Sequence, residues 1–350
     1  MLRRAIVSDG DVVVTIKRRL LNASPTSGLA GPTAVNQDVV VLRPTAEFLP
    51  GFLAATLNSR IGKEQAFRNQ TEQINPYLSV ASLRNIKVPV VDEALQLPIH
   101  EMVIERLSLL RDADTLYKDA KRALTEALGM TDDRPRTTTV ETLREVWLAE
   151  RLDAEFFTTV VAGPVWSAPF ERTTLEDPRV STYIGGGATP AAISYSDEGI
   201  PIIKVAGISA FGTAEWRGDR VDPDSPSTRG KRGATRTGDI LMISAAHHVQ
   251  YIGKSGVVRT TPDGIHELRS VGELITIRPS DSVPPGALAT YLALPRIQRE
   301  IQRLVRGQSA HLYSRDLKAL PVPVLPDELQ RPRSSGTPVE LGVKVIAADR

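Results

Sequence analysis

The sequence predicts an α+β chain in which one strand–helix module occurs twice, the first copy without its front half, with a long coiled-coil-like helix between the copies. Three observations predict it. An ordered set of positions recurs in the two halves of the chain, a seven-residue apolar repeat fills the segment between them, and hydrophobic residues make up 41% of 350 positions. That length and content suffice to bury two cores of ordinary domain size.

The recurrence begins with Gly10-Asp11-Val12-Val13, answered by Gly238-Asp239-Ile240-Leu241. Leu42-Arg43-Pro44 is followed by Pro50-Gly51 and Leu53-Ala54, and Ile277-Arg278-Pro279 by Pro285-Gly286 and Leu288-Ala289. A helical segment follows in each copy, with Leu57 in one and Leu292 in the other. The copies close on Leu83, Ile86 and Pro89 and on Leu317, Leu320 and Pro323, and Glu93-Ala94-Leu95-Gln96 then matches Asp327-Glu328-Leu329-Gln330. Agreement at so many ordered positions indicates duplication. The second copy has a long section ahead of its Gly-Asp pair, from Arg151 onward, which the first lacks. The domains expected are a partial module over 1–96, a spacer helix over 97–131, a linker with a short helix over 132–150, a complete module over 151–326 and a flexible tail over 327–350.

Between the copies, Val103, Leu110, Tyr117 and Leu124 recur every seventh residue, with Ala113, Ala120 and Ala127 beside them, which predicts a helix over 97–130 carrying an apolar seam. Gly129 and the polar stretch 131–139 end it, and a second helical stretch spans 140–157. Small alanines allow a close helix partner. The seam can be covered by the 140–157 helix, by the same helix of a second copy as a homodimer, or by another subunit. The half-length of the nearby helix favours the last two.

Composition excludes several classes. There is no cysteine, hence no disulfide framework or thiolate metal site, which fits a reducing cytosol. The N-terminus has no apolar signal core, and no apolar run approaches the ~20 residues of a membrane span. Net charge is only +2, so nucleic-acid contact must come from local patches or be shared with a partner. Gly253-Lys254-Ser255 resembles the end of a phosphate loop, but the position that should hold its first glycine is His248. His247 and His248 are neighbours that a strand turns to opposite faces, and His100, His266 and His311 lie far off in sequence, so no metal site is expected. This stretch reads as a strand over 239–244, a polar loop, and a second strand through Ile252.

Several motifs then align with a known family. Residues 151–157 (Arg-Leu-Asp-Ala-Glu-Phe-Phe), Gly187-Ala188-Thr189-Pro190, Tyr195 and Gly199-Ile200-Pro201-Ile202-Ile203 come first. Gly238-Asp239-Ile240-Leu241, Ile252-Gly253-Lys254, Gly307-Gln308-Ser309 and Leu320-Pro321-Val322-Pro323 follow in order. Together they resemble a target-recognition domain of the DNA specificity subunits of type I restriction–modification systems, over most of 151–330. The later part of the pattern returns across 10–130. The resemblance implies a non-catalytic reader of double-stranded DNA, with two target-recognition domains held apart by long helices. It implies as partners a DNA methyltransferase subunit and a restriction (motor) subunit of a phage-defence complex. It implies no cofactor on this chain, with S-adenosylmethionine, ATP and Mg on the partner subunits only. The chain departs from the family pattern in the shortened first domain and in Pro332 and Pro338, which interrupt the place of a second long helix. The chain also reads as the target-recognition end of a methyltransferase–nuclease fusion, or as a stand-alone DNA-binding adaptor.

Candidate DNA contacts follow from charge. Between Arg217 and Arg236 lie Arg220, Arg229, Lys231 and Arg232, and the acids are Asp219, Asp222 and Asp224. Arg229-Gly230-Lys231-Arg232-Gly233 can track a phosphate backbone, or can be a solvated loop. Lys204, Gln250, Tyr251 and Lys254 are further candidates for phosphates or base edges. In the first copy Lys17, Arg18, Arg19 and Asn22 match them. Arg296, Arg299, Arg303 and Arg306 share one side of a helix, as phosphate contacts or solvated surface. Catalytic motifs are thin. Asn75-Pro76-Tyr77-Leu78 lacks the second proline of the adenine-methyltransferase motif, and Pro262-Asp263 with Glu267 lacks the lysine of a nuclease core.

Overall fold

The computed structural model describes residues 6–71, 74–130, 156, 165–259, 267–307 and 310–330. Expectations for 131–155, for Gln308-Ser309, for Pro262-Asp263 and for the tail beyond Gln330 lie outside the described residues. The chain divides into two compact units, residues 1–112 and 113–350.

The first unit runs β1 (Ile6–Val7), β2 (Val12–Thr15), β3 (Ala23–Pro25), β4 (Thr33–Ala34), β5 (Val39–Leu42), α1 (Pro50–Asn58), α2 (Arg60–Asn69), α3 (Val80–Arg84) and the start of α4 (Glu93–Ala127). β1 pairs with β4, and an antiparallel sheet has the order β3-β2-β5. β2 is rich in valine, which suits a pleated strand, and alternation puts Val12, Val14 and Ile16 on one buried face against Leu21, Ala54, Leu57, Ala66, Leu78 and Leu83. Pro50 opens α1, where its missing N–H costs nothing, and the Ser59 and Ser79 hydroxyls cap α2 and α3.

The second unit holds β6 (Arg172–Thr174), β7 (Ser181–Gly186), β8 (Tyr195–Ser196), β9 (Ile200–Ile203), β10 (Thr213–Ala214), β11 (Arg220–Val221), β12 (Ala234–Thr235) and β13 (Ile240–Ile243). β14 (Ser255–Val258), β15 (Leu268–Ser270), β16 (Leu274–Pro279), α5 (Pro285–Leu292), α6 (Pro295–Arg303), α7 (Ser314–Lys318), β17 (Pro321–Pro323) and α8 (Asp327–Gln330) follow. Two five-stranded sheets have the orders β10-β14-β13-β16-β7 and β12-β15-β9-β11-β8, and β6 pairs with β17. β13 is buried on both faces. Ile240 and Met242, opposite Ile277 and Ile275, face one core with Tyr291, Leu292, Ile297 and Ile301 of α5 and α6. Leu241 and Ile243 face a second core with Ile202, Val221, Leu268 and Leu274.

The duplication is present down to single hydrogen bonds. Gly10 and Gly238 both have φ +88, and their N–H groups donate to Thr26 O and Val258 O at 3.0 Å. Thr26 N and Val258 N donate back to Asp11 O and Asp239 O, each at 2.8 Å. Leu21 N bonds Thr15 O as Gly253 N bonds Ile243 O, and Leu78 N bonds Ile16 O as Leu312 N bonds Ser244 O. Thr71 and Tyr77 exchange both backbone bonds, as do Arg306 and His311. Asn75-Pro76-Tyr77-Leu78 is thus part of this frame. The strand expected to run through Ile252 instead starts at Ser255, because Val249–Tyr251 makes a 3-10 turn and Gly253 takes φ +89.

Helix α4 starts at Glu93, earlier than expected, with Pro98 inside it. Buried Gln96 anchors this start: its Oε1 accepts from Leu49 N at 2.9 Å, and its Nε2 donates to Glu47 O and Val91 O. Gly129, at φ +58, follows its end, as expected. The seam is covered within the chain over part of its length. Tyr117, Ala120 and Leu124 are buried in the second unit, with Leu124 in its main core and Tyr117 against Gly212. Val103, Leu110, Ala113 and Ala127 are half-buried. The expectation that this chain offers the seam little cover is therefore corrected for that half. A different seven-residue stripe, Leu95, Met102 and Leu109, is exposed.

Candidate nucleic-acid interface

The sequence-derived candidates fall into separate groups. Strands β8, β9 and β11 carry the first. Lys204 Nζ lies 2.6 Å from Asp219 Oδ1 and 4.2 Å from the Tyr195 ring centre, and the Asp219 hydrogen bond holds its pKa above the ordinary lysine value. Arg220 donates to Gly199 O at 2.9 Å and stacks over Trp216 at 4.6 Å. Each cation thus gives one hydrogen bond inside the protein, while the aromatic faces fix its position. Arg217 beside them is exposed.

The loop between β11 and β12 carries the second group. Arg229, Lys231 and Arg232 are exposed, but Arg229 reaches back to Asp224 O at 3.3 Å and Arg232 Nε donates to Gly187 O at 2.9 Å. Arg236 approaches buried Asp239 at 3.9 Å. The third group lies on the turn after β13, where Gln250, Tyr251 and Lys254 are exposed and Lys254 Nζ sits 4.6 Å from the Tyr251 ring centre. His247 and His248 are exposed on the same turn, and among the described residues no three His, Cys, Asp or Glu side chains gather where they could hold a metal.

In the first unit, Lys17 and Arg18 line an open cleft with Gln37, Asn75, Pro76 and Tyr77. Lys17 pairs with Asp38 at 2.9 Å, and Arg18 sits exposed at φ 61, a strained conformation for a residue with a Cβ. Arg19 is exposed. Asn22 has a structural partner: Lys63 Nζ donates to its Oδ1 at 2.5 Å and to Leu20 O and Leu21 O, and burial lowers the Lys63 pKa. Gln298 does the same work in the second copy, donating to Gly253 O at 2.9 Å.

Arg296, Arg303 and Arg306 belong to neither alternative given for the arginine row, and Arg306 lies past the end of α6. Arg296 is buried and 3.6 Å from Glu300, Arg303 is 3.3 Å from the same carboxylate, and Arg306 makes two bonds to Asp316. Helical spacing placed Arg296, Arg299 and Arg303 on α6 but showed neither that the helix ends before Arg306 nor what lay against it. Sequence reasoning also missed Tyr183 and Arg269, which support the β11–β12 loop: Tyr183 Oη lies 3.4 Å from Lys231 O, and Arg269 Nη1 donates to Gly230 O at 2.9 Å. Neither stands out in a charge count, since their role comes from burial.

No protein family matches this chain, and no curated protein does. The chain is similar to solved structures. One is described as the structural basis of complex assembly and conformational transition of the type I R-M system, at 17% identity and TM-score 0.36 over 99% of this chain and 75% of that one. The HsdS subunit from Thermoanaerobacter tengcongensis aligns at 18% identity and TM-score 0.40, over 99% and 76%. The type I restriction-modification system S subunit from M. genitalium aligns at 13% identity and TM-score 0.38, over 99% and 77%.

Proposed function

We propose that the chain is a sequence-specific DNA-binding subunit that directs methyltransferase and restriction subunits of a type I restriction–modification or related defence system to a target. The observation that carries this reading is the module built twice on one hydrogen-bond frame, each copy presenting exposed basic side chains on the loop that follows its central strand, joined in the second copy by aromatic rings. In the first copy these are Arg18 and Arg19, and in the second His247, His248, Tyr251 and Lys254. A duplicated reader suits a target in two parts. Exposed Arg and Lys supply phosphate attraction, and base-edge hydrogen bonds supply specificity. The chemistry belongs to the partners: S-adenosylmethionine on the methyltransferase, and ATP and Mg on the restriction subunit.

The test is duplex-DNA binding by the purified chain, alone and with its methyltransferase, followed by sequencing of modified adenines. Binding that weakens steeply with salt and directs methylation to one split sequence is expected. Arg229, Lys231 and Arg232 changed together to alanine weaken binding and flatten its salt dependence. Methyl transfer by the isolated chain, or no DNA binding in either form, overturns the reading.

A further inference from the structure

The loop at residues 230–233 turns all four of its carbonyls toward the protein. Gly230 O and Arg232 O both accept from Arg269 Nη1, at 2.9 and 3.4 Å. Lys231 O accepts from Ala234 N at 3.2 Å and Tyr183 Oη at 3.4 Å, and Gly233 O from Ser270 N at 2.9 Å. In a trans peptide the N–H points opposite to the C=O of the same unit. The N–H groups of Lys231, Arg232 and Gly233 are therefore turned away from these donors, and among the described residues none of them has an acceptor. Positive φ at Gly230 (+72) and Gly233 (+74) permits the two bends.

Arg269 is the centre of this arrangement. It sits on β15 opposite Ala234, with its side chain 8% exposed, and its Nη2 is anchored by Glu267 at 2.6 Å. Its Nε has no partner among the described residues, so the guanidinium is held in place by the loop carbonyls and one carboxylate. A fixed positive charge under successive unpaired N–H groups, two of them on the exposed residues Lys231 and Arg232 and the third on buried Gly233 at the floor of the bend, is the arrangement that attracts an anion. The side chains of Arg229 and Arg232 each give one hydrogen bond, to Asp224 O and Gly187 O, and stay exposed beside this row.

We propose that residues 230–233 form a main-chain phosphate site, in which the N–H groups of Lys231, Arg232 and Gly233 hold one backbone phosphate of DNA and buried Arg269 is the positioning residue that presents them. The identification of the phosphate as one of DNA rests on the function proposed above. The ligand is read through shape and charge, independent of base sequence, so the site sets register on the duplex.

The experiment follows the amide resonances of residues 230–233 during titration with inorganic phosphate and, separately, with a DNA duplex, in the wild type, Lys231→Ala, Arg269→Lys and Arg269→Gln. Shifts at Lys231, Arg232 and Gly233 in the wild type are expected, kept in Lys231→Ala and lost in Arg269→Gln, with the β16 amides unchanged in all four proteins. Duplex affinity at low salt drops about tenfold in Arg269→Gln, with partial recovery in Arg269→Lys. If the wild-type amides ignore both ligands, or shift equally in Arg269→Gln, the proposal falls. Phosphate shifts that depend on Arg269 in a protein that ignores DNA uphold the anion site and overturn the DNA reading instead.

Discussion

Asp11 and Asp239 occupy one position in two copies, and their energetics differ because their partners do. Asp239 is 1% exposed, takes two bonds from Arg278 at 2.7 and 2.8 Å, and also accepts from Arg236 N at 3.0 Å. Asp11 meets Arg43 at 3.4 Å, and that arginine is 70% exposed. Removing Asp239 leaves Arg278, only 24% exposed, with little water and no counter-ion from the pair, whereas the 70% exposed Arg43 is simply rehydrated. Asp239→Ala is expected to lower stability by roughly 3–5 kcal/mol and Asp11→Ala by about 1 kcal/mol, measured by denaturant unfolding. Equal losses would show that Arg43 is not rehydrated as argued. The sequence displays both halves of this pair as repeat markers, the Gly-Asp dipeptides and the Arg-Pro dipeptides, but not that they meet. Arg269 was illegible for another reason. It lies outside the repeated pattern, and only folding brings β15 beside the loop it supports.

At the scale of the element, the seven-residue rule found helix α4, its ending and its apolar seam, but not what covers the seam. The rule finds apolar positions without saying which neighbour reaches them, and the second unit reaches Tyr117, Ala120 and Leu124. Ala120→Glu therefore places a carboxylate in a core and is expected to cost at least ~2 kcal/mol, while Met102→Glu and Leu109→Glu, on the exposed stripe, change stability by about 0.5 kcal/mol or less. Thermal unfolding of the three variants checks this, and an unaffected Ala120→Glu protein would return the seam to a partner chain. Tyr117 gives a second measure of the same burial. Desolvation pushes its pKa up to about 12, so the unfolded chain ionises first as pH rises past the ordinary value of 10. The stability due to the neutral phenol is complete below pH 10 and lost between 10 and about 12, by about 2–3 kcal/mol. Wild type and Tyr117→Phe should therefore diverge in denaturant midpoint over that range and run parallel below it.

For the whole molecule, the duplicated frame makes a comparison that a single module does not allow. Leu78 and Leu312 donate the same backbone bond to the residue after the central strand, and both side chains are buried. Leu78 belongs to the cluster around Val12, Val14 and Leu57, and Leu312 to the cluster around Ile240, Met242 and Leu292, with no residue common to the two. A cavity opened in one cluster removes contacts from that cluster's own members, because dispersion falls off within a fraction of an ångström. Leu78→Ala and Leu312→Ala are each expected to cost about 2–5 kcal/mol, with the loss confined to the unit that holds the cavity. Hydrogen exchange resolves this. Leu78→Ala should speed exchange in β2 and β5 while β13 and β16 keep their protection, and Leu312→Ala should do the reverse. If either substitution accelerates exchange in both units, the copies fold as one cooperative body.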